Sequence, residues 1–106
     1  MTETHALIVY GTCPERHAET LARVLVDARL AACVNIVPGV KSVFRWAGRV
    51  QQETESLLVI KTTQARYAEL EKAWRDRHPY ELPELMAVPV AAGLPDYLSW
   101  LETSTL

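Results

Sequence analysis

CVNIVPGVKSVFRWAGRVQQETESLLVIKT, residues 33–62, decides the fold. From Cys33 to Trp46 the even positions carry Val34, Ile36, Val40, Phe44 and Trp46, with Ser42 the polar exception, while Asn35, Lys41 and Arg45 fall on odd positions. A period of two is the mark of a strand. Pro38-Gly39 interrupts it, and predicts a bend or bulge. Ala47-Gly48 reads as a two-residue turn, weaker than Asn-Gly. A second arm follows from Arg49 to Thr62 and ends in the apolar run Leu57–Ile60. Each arm is about twice the usual ~5–6 residues of a strand. The tip of such a hairpin must overhang a small domain.

The flanking segments have shorter signals. ALIVYG (Ala6–Gly11) is a β-branched apolar run and reads as a buried strand. In TCPE after it, Thr12 and Glu15 fit a capping box, or Cys13 caps with Pro14 first in the helix. Ala18, Leu21, Ala22 and Leu25 then outline a helical face, and the helix is expected to reach Arg29, whose charge suits its C-terminal end. After the hairpin, Thr63 can cap a second helix with Tyr67, Leu70, Ala73 and Trp74 inside. Pro79 stops it near His78, because the residue before proline avoids helical angles. MAVPVA (Met86–Ala91) reads as an edge strand, since Pro89 has no N–H for a ladder. Leu94, Tyr97, Leu98 and Leu101 outline a short terminal helix.

The resulting order, β-α-β-β-α-β plus a small helix, is that of an α+β, ferredoxin-like sandwich formed by residues 1–106 as a single domain. Two helices cover one face of the sheet and leave the other bare. Packing copies sheet to sheet would cover that face and the overhanging strands, so the chain is expected to assemble with itself.

Composition narrows the function. The 106 residues are 49% apolar with a net charge of −2, and Lys and Arg are spread along the chain. No basic block tracks a phosphate backbone, which argues against nucleic acid as a partner. Two cysteines are too few for a disulfide framework and favour a reducing compartment. The first residues lack the pattern of a signal peptide, and no apolar run approaches ~18 residues, so a cytoplasmic protein with no membrane partner is expected.

RHPYELPEL, residues 77–85, concentrates the side chains with site chemistry. His78 is a nitrogen donor suited to copper or zinc, or simply a histidine favoured by the helix dipole. Cys13 at a helix start would have a lowered pKa and could bind a soft metal or react; the other reading is a loop thiol without a role. His17, one turn along, is the nearest base for an enzyme built on Cys13, but no motif supports the pair. Cys33 is a second sulfur donor or a small packed hydrophobe. Glu53 and Glu55 project from one strand face, as a hard-cation site or as a solvated surface. Lys61 on the same strand is too far along to answer them, or an anionic ligand, except across a subunit boundary or another strand. Lys61, Tyr80 and Glu84 are candidates for lining a ligand cleft together with His78. Trp46 at the hairpin tip is the tryptophan expected at a subunit contact, where aromatics bury area and keep a polar handle.

RLAACVNIVPGVKSVFRWAGRVQQETE, LLVIKTT, HPYELPEL and PDYLSWL together resemble the CutA family of divalent-cation tolerance proteins, in the family's order and over nearly the whole chain. The resemblance implies a homotrimer held by the long hairpins, a cytoplasmic location, no established catalytic activity, and a link to copper and other divalent cations. The candidate metal donors in this sequence are His78, Cys33 and Cys13, for copper or another divalent cation, and no cofactor is expected to be required for folding. In some family members copper is bound by a cysteine at the end of the first strand and by histidines before Pro-Tyr. Here Gly11 stands where that cysteine would fall, and Arg77 precedes His78. The alternative is a small-molecule signalling trimer resembling the PII proteins, although the chain has neither a long flexible loop nor a glycine-rich phosphate cradle.

Overall fold

The computed structural model describes residues 4–106. The elements are β1 (Ala6–Cys13), α1 (Glu15–Asp27), β2 (Cys33–Trp46), β3 (Arg49–Thr63), a 3-10 turn (Gln64–Arg66), α2 (Tyr67–Arg77), β4 (Met86–Pro89) and α3 (Pro95–Thr103). The four strands form one sheet in the order β2-β3-β1-β4, and every neighbouring pair is antiparallel. This is the expected α+β architecture, with the hairpin at one side and the short β4 at the other edge. Pro89 is the last residue of β4, two residues earlier than expected.

Strand alternation sorts the core. Leu7, Val9, Gly11 and Cys13 of β1 share a face with Ser56, Leu58, Ile60 and Thr62 of β3. α1 lays Ala18, Leu21, Ala22 and Leu25 on this face, and α2 adds Leu70 and Trp74. Trp74, Leu25, Leu58, Ile60 and Leu70 are fully buried, each stabilising the fold by about 1.5–3 kcal/mol relative to exposure.

The opposite face differs from expectation at one end. There α3 packs Leu101 against Ala6 and Ala32, with Val90 and Leu98 beside them. The rest stays open: Ile8, Tyr10, Leu57 and Val59 are half-buried, while Val37, Met86 and Val88 are exposed. An apolar sheet face of this width is unusual on a protein that works alone.

Register explains where the hairpin faces. Val37 pairs with Leu57 and Val40 with Glu55, so β2 carries one extra residue across Pro38-Gly39. The bulge exchanges the two faces of β2. Val34 and Ile36 lie on the helix side, whereas Val40, Phe44 and Trp46 lie on the open side with Glu55, Gln51 and Arg49. The even positions therefore do not form one continuous face. Gly39 takes φ 72°, and its N–H donates to Glu15 Oε1 at 2.7 Å. At the tip, Ala47 and Gly48 both have positive φ, 53° and 76°, as a type I′ turn requires.

The helix ends also depart from expectation. Thr12 and Cys13 finish β1, Pro14 caps α1, and no side-chain capping bond forms there or at Thr63. The capping box is absent because Thr12 is still paired with Leu57 in the sheet and Glu15 has turned to the bulge. α1 stops at Asp27, and Arg29 has φ 60°. Arg66 supplies the cation at this end instead: its Nε and Nη2 donate to the carbonyls of Arg29 and Ala28 at 3.3 and 3.4 Å.

Candidate functional site

Where β1 ends, the chain after α2 folds back over it. Pro79 holds His78 at ψ 138°, outside the helix, and His78 turns inward to 8% exposure. Its Nε2 lies 2.8 Å from the Thr12 carbonyl, and its Nδ1 accepts the Tyr80 N–H at 3.1 Å. The two contacts fix one neutral tautomer, with the proton on Nε2. The imidazole stacks obliquely between Trp74 and Tyr80, at centroid distances of 5.1 and 4.7 Å. Burial pushes its pKa below 6.5, against the opposing pull of the Thr12 carbonyl and Glu55; His17 adds to the lowering.

Tyr80 closes the site. Its ring is partly exposed, but its hydroxyl donates to Glu55 Oε2 at 2.8 Å. Burial and then that hydrogen bond push the phenol up to about 12. Glu55 is 5% exposed, whereas Glu53, two residues back, is exposed. The shared strand face was readable from spacing. The burial of Glu55 was not, because its cover comes from a tyrosine 25 residues later. Trp74 completes the wall: its Nε1 donates to the Glu84 carbonyl at 3.1 Å, so Glu84 serves here through its backbone while its side chain stays outside.

Cys13 is buried, at 0% exposure, rather than displayed at a helix start. Burial and the nearby Glu55 carboxylate raise its pKa to about 11. The low-pKa thiolate expected from the sequence is thus absent: the thiol lies at the end of β1, within the core cluster and near an anion, before the helix begins. Cys33 sits at the other end of the sheet, paired with Lys61 and close to the Tyr97 hydroxyl, whose pKa rises through burial and the thiol.

The candidate residues therefore form two groups. Cys13, His78 and Tyr80 meet at one end with Glu55 and the Glu84 backbone; Cys33 and Lys61 meet at the other. Lys61 lies six positions beyond Glu55 along β3, about 20 Å of strand. Within one chain the donors do not suit a divalent cation. Both His78 nitrogens are engaged, the Cys13 thiol holds its proton, and Cys33 is remote. Among the described residues no group of three or more His, Cys, Asp or Glu side chains is placed to hold a metal.

Comparison with known proteins places this architecture. The divalent-cation tolerance protein CutA of Thermus thermophilus is 46% identical over 99 residues, covering 92% of this chain and 96% of that protein. The solved structure of the Thermus protein superimposes with a TM-score of 0.92, covering 94% of this chain and 98% of that one. A chloroplastic CutA protein of Arabidopsis thaliana is also 46% identical, over 101 residues; these cover 94% of this chain but 56% of that protein, so the chain spans about half of this longer relative. A solved structure described as the PII-like protein CutA from Nostoc, in apo form, has a TM-score of 0.89 at 34% identity, covering 94% of this chain and 97% of that one. Residues 7–104 match the family model described as CutA1 divalent ion tolerance protein, and with these likenesses over nearly its full length the chain belongs to that family.

Proposed function

We propose that this protein acts in divalent-cation tolerance, copper included, as a cytoplasmic homotrimer that binds its ligand in clefts between subunits and catalyses no reaction. The observation that carries this reading is the open apolar sheet face, ending in Glu55 and Tyr80 on one side and Lys61 on the other. Such a face favours burial against a second copy, and its polar ends would then line the rim of the cleft. Lys61, Tyr80 and Glu84 are the proposed lining. A cation there would need donors from more than one copy, since His78, Cys13 and Cys33 do not meet in one. Its binding would require His78 to release Thr12 or Tyr80.

Copper and zinc titrations by calorimetry, on the native protein and on His78→Ala, test the metal branch. Saturable binding lost in the variant supports His78 as a donor; unchanged binding removes it. A second reading, a PII-like small-molecule sensor, is favoured by the likeness to the PII-like Nostoc protein and by the single-chain donor set, which suits a metal poorly. Thermal shift against nucleotides and common metabolites separates the two: stabilisation that grows with ligand concentration identifies the true class.

A further inference from the structure

Residues 55, 57, 59 and 61 of β3 lie on the open face in the order Glu, Leu, Val, Lys. The glutamate is 5% exposed, and the leucine, valine and lysine are half-buried. The phenol of Tyr80 supplies one hydrogen bond to the Glu55 carboxylate, at Oε2. Among the described residues the ion pairs are Arg23–Glu19, Arg66–Glu69, Lys72–Asp76 and Arg75–Glu71, and neither Glu55 nor Lys61 belongs to one. A buried carboxylate without a cation, and a cation at the far end of the same apolar strip without an anion, are costly apart. About 20 Å of strand keeps them from meeting within a chain.

We propose that Lys61 of one copy completes the Glu55–Tyr80 site of the next. Three open faces turned toward a common three-fold axis, with their β3 strands following one another head to tail, bring Leu57 and Val59 of the copies together and set Lys61 of one copy against Glu55 of the next. In a closed ring, each interface uses the carboxylate of one copy and the ammonium of its neighbour. The charge order also sets direction, because like ends repel. Other cations of the hairpin fit less well. Lys41 and Arg45 lie on the opposite face beyond the bulge, paired with Thr54 and Val50. Arg49 shares the face, but polar Gln51 and Glu53 separate it from Glu55, so that segment gains little from burial. The inference deepens the assembly reading above and rests on it.

The test uses Glu55→Lys and Lys61→Glu, singly and together, with mass by light scattering over a dilution series. Each single reversal is expected to raise the concentration of half-dissociation at least tenfold, and the double reversal to restore most of the loss. An assembled native protein whose double variant is no better than the worse single overturns the pair but leaves assembly standing. So does disruption by Arg49→Glu while Lys61→Glu assembles normally. A native protein that is monomeric at tens of micromolar overturns both readings. If Glu55→Lys does not fold, carbodiimide coupling of the native protein decides. Peptide mapping should find Lys61 joined to Glu55, a link that only two chains can make. Lys61 joined elsewhere or left free overturns the pair.

Discussion

A methyl group on Gly11 would lie 2.6 Å from Cζ2 of Trp74 and 3.2 Å from the Glu84 carbonyl oxygen. Glycine at this strand position is a matter of space, since Trp74 fills the room that a side chain would take. Gly11→Ala is expected to cost about 1–3 kcal/mol in urea unfolding. Trp74→Phe in the same chain should recover part of that, so the two losses will not add; strict additivity would show that Trp74 is not the obstacle. The sequence showed a glycine in a strand and Pro79 stopping a helix, both local facts. It did not show His78 bonded to a carbonyl 66 residues away, because that contact exists only once α2 has packed on the sheet. The bond has a pH signature. Burial lowers the folded pKa of His78 beneath 6.5, so below pH 6.5 the unfolded chain binds the extra proton more readily. This contribution to stability is whole above pH 6.5 and is lost as pH falls toward the depressed folded value. His78→Gln should flatten the slope of unfolding free energy with pH in that window. An unchanged slope would assign the acid sensitivity to other groups.

At the scale of elements, the period-two pattern and its break at Pro38-Gly39 located the hairpin, the bulge and the turn. Which face each arm presents beyond the bulge was hidden, because one inserted residue exchanges every side chain after it, and only the pairing of Val37 with Leu57 and Val40 with Glu55 reveals it. The end of α1 was misread for a similar reason. Arg29 was the local candidate for the helix dipole, but the cation that serves this end is Arg66, 37 residues from Arg29. Arg66→Ala is expected to destabilise the fold by about 1 kcal/mol, the usual size of a lost cap, and to speed hydrogen exchange in the last turn of α1. Arg66→Lys should recover little, since one ammonium cannot span both carbonyls as a guanidinium does. Full recovery would show that charge alone matters.

For the whole molecule, the principal extents of 47 × 26 × 23 Å follow from a hairpin that extends past the helices, with Phe44, Trp46 and Val37 on the same open side as Met86 and Val88. Composition and pattern were enough to infer an uncovered face; that α3 covers one end of it and leaves the rest depended on the path after β4. The remaining apolar strip makes a prediction about concentration. If copies bury it, the unfolding temperature must rise with protein concentration, because association is linked to folding by mass action. Val88→Glu tests the strip directly. Val88 is 43% exposed in the single chain, so the change should alter the stability of an isolated subunit by no more than about 0.5 kcal/mol. The cation in the same cross-sheet row, Lys61, is committed to Glu55 of the neighbouring copy in the proposed assembly, so a carboxylate buried at this position competes with that pair and should dissociate the assembly. The expected result is a fall in mass by light scattering with an unchanged far-ultraviolet circular dichroism spectrum. Leu82→Glu is the control, 72% exposed and outside the sheet, and should leave the mass as it was. Retained mass in Val88→Glu would move the contact away from the β4 side of the sheet, and an unfolding temperature independent of concentration would leave the face without a second copy.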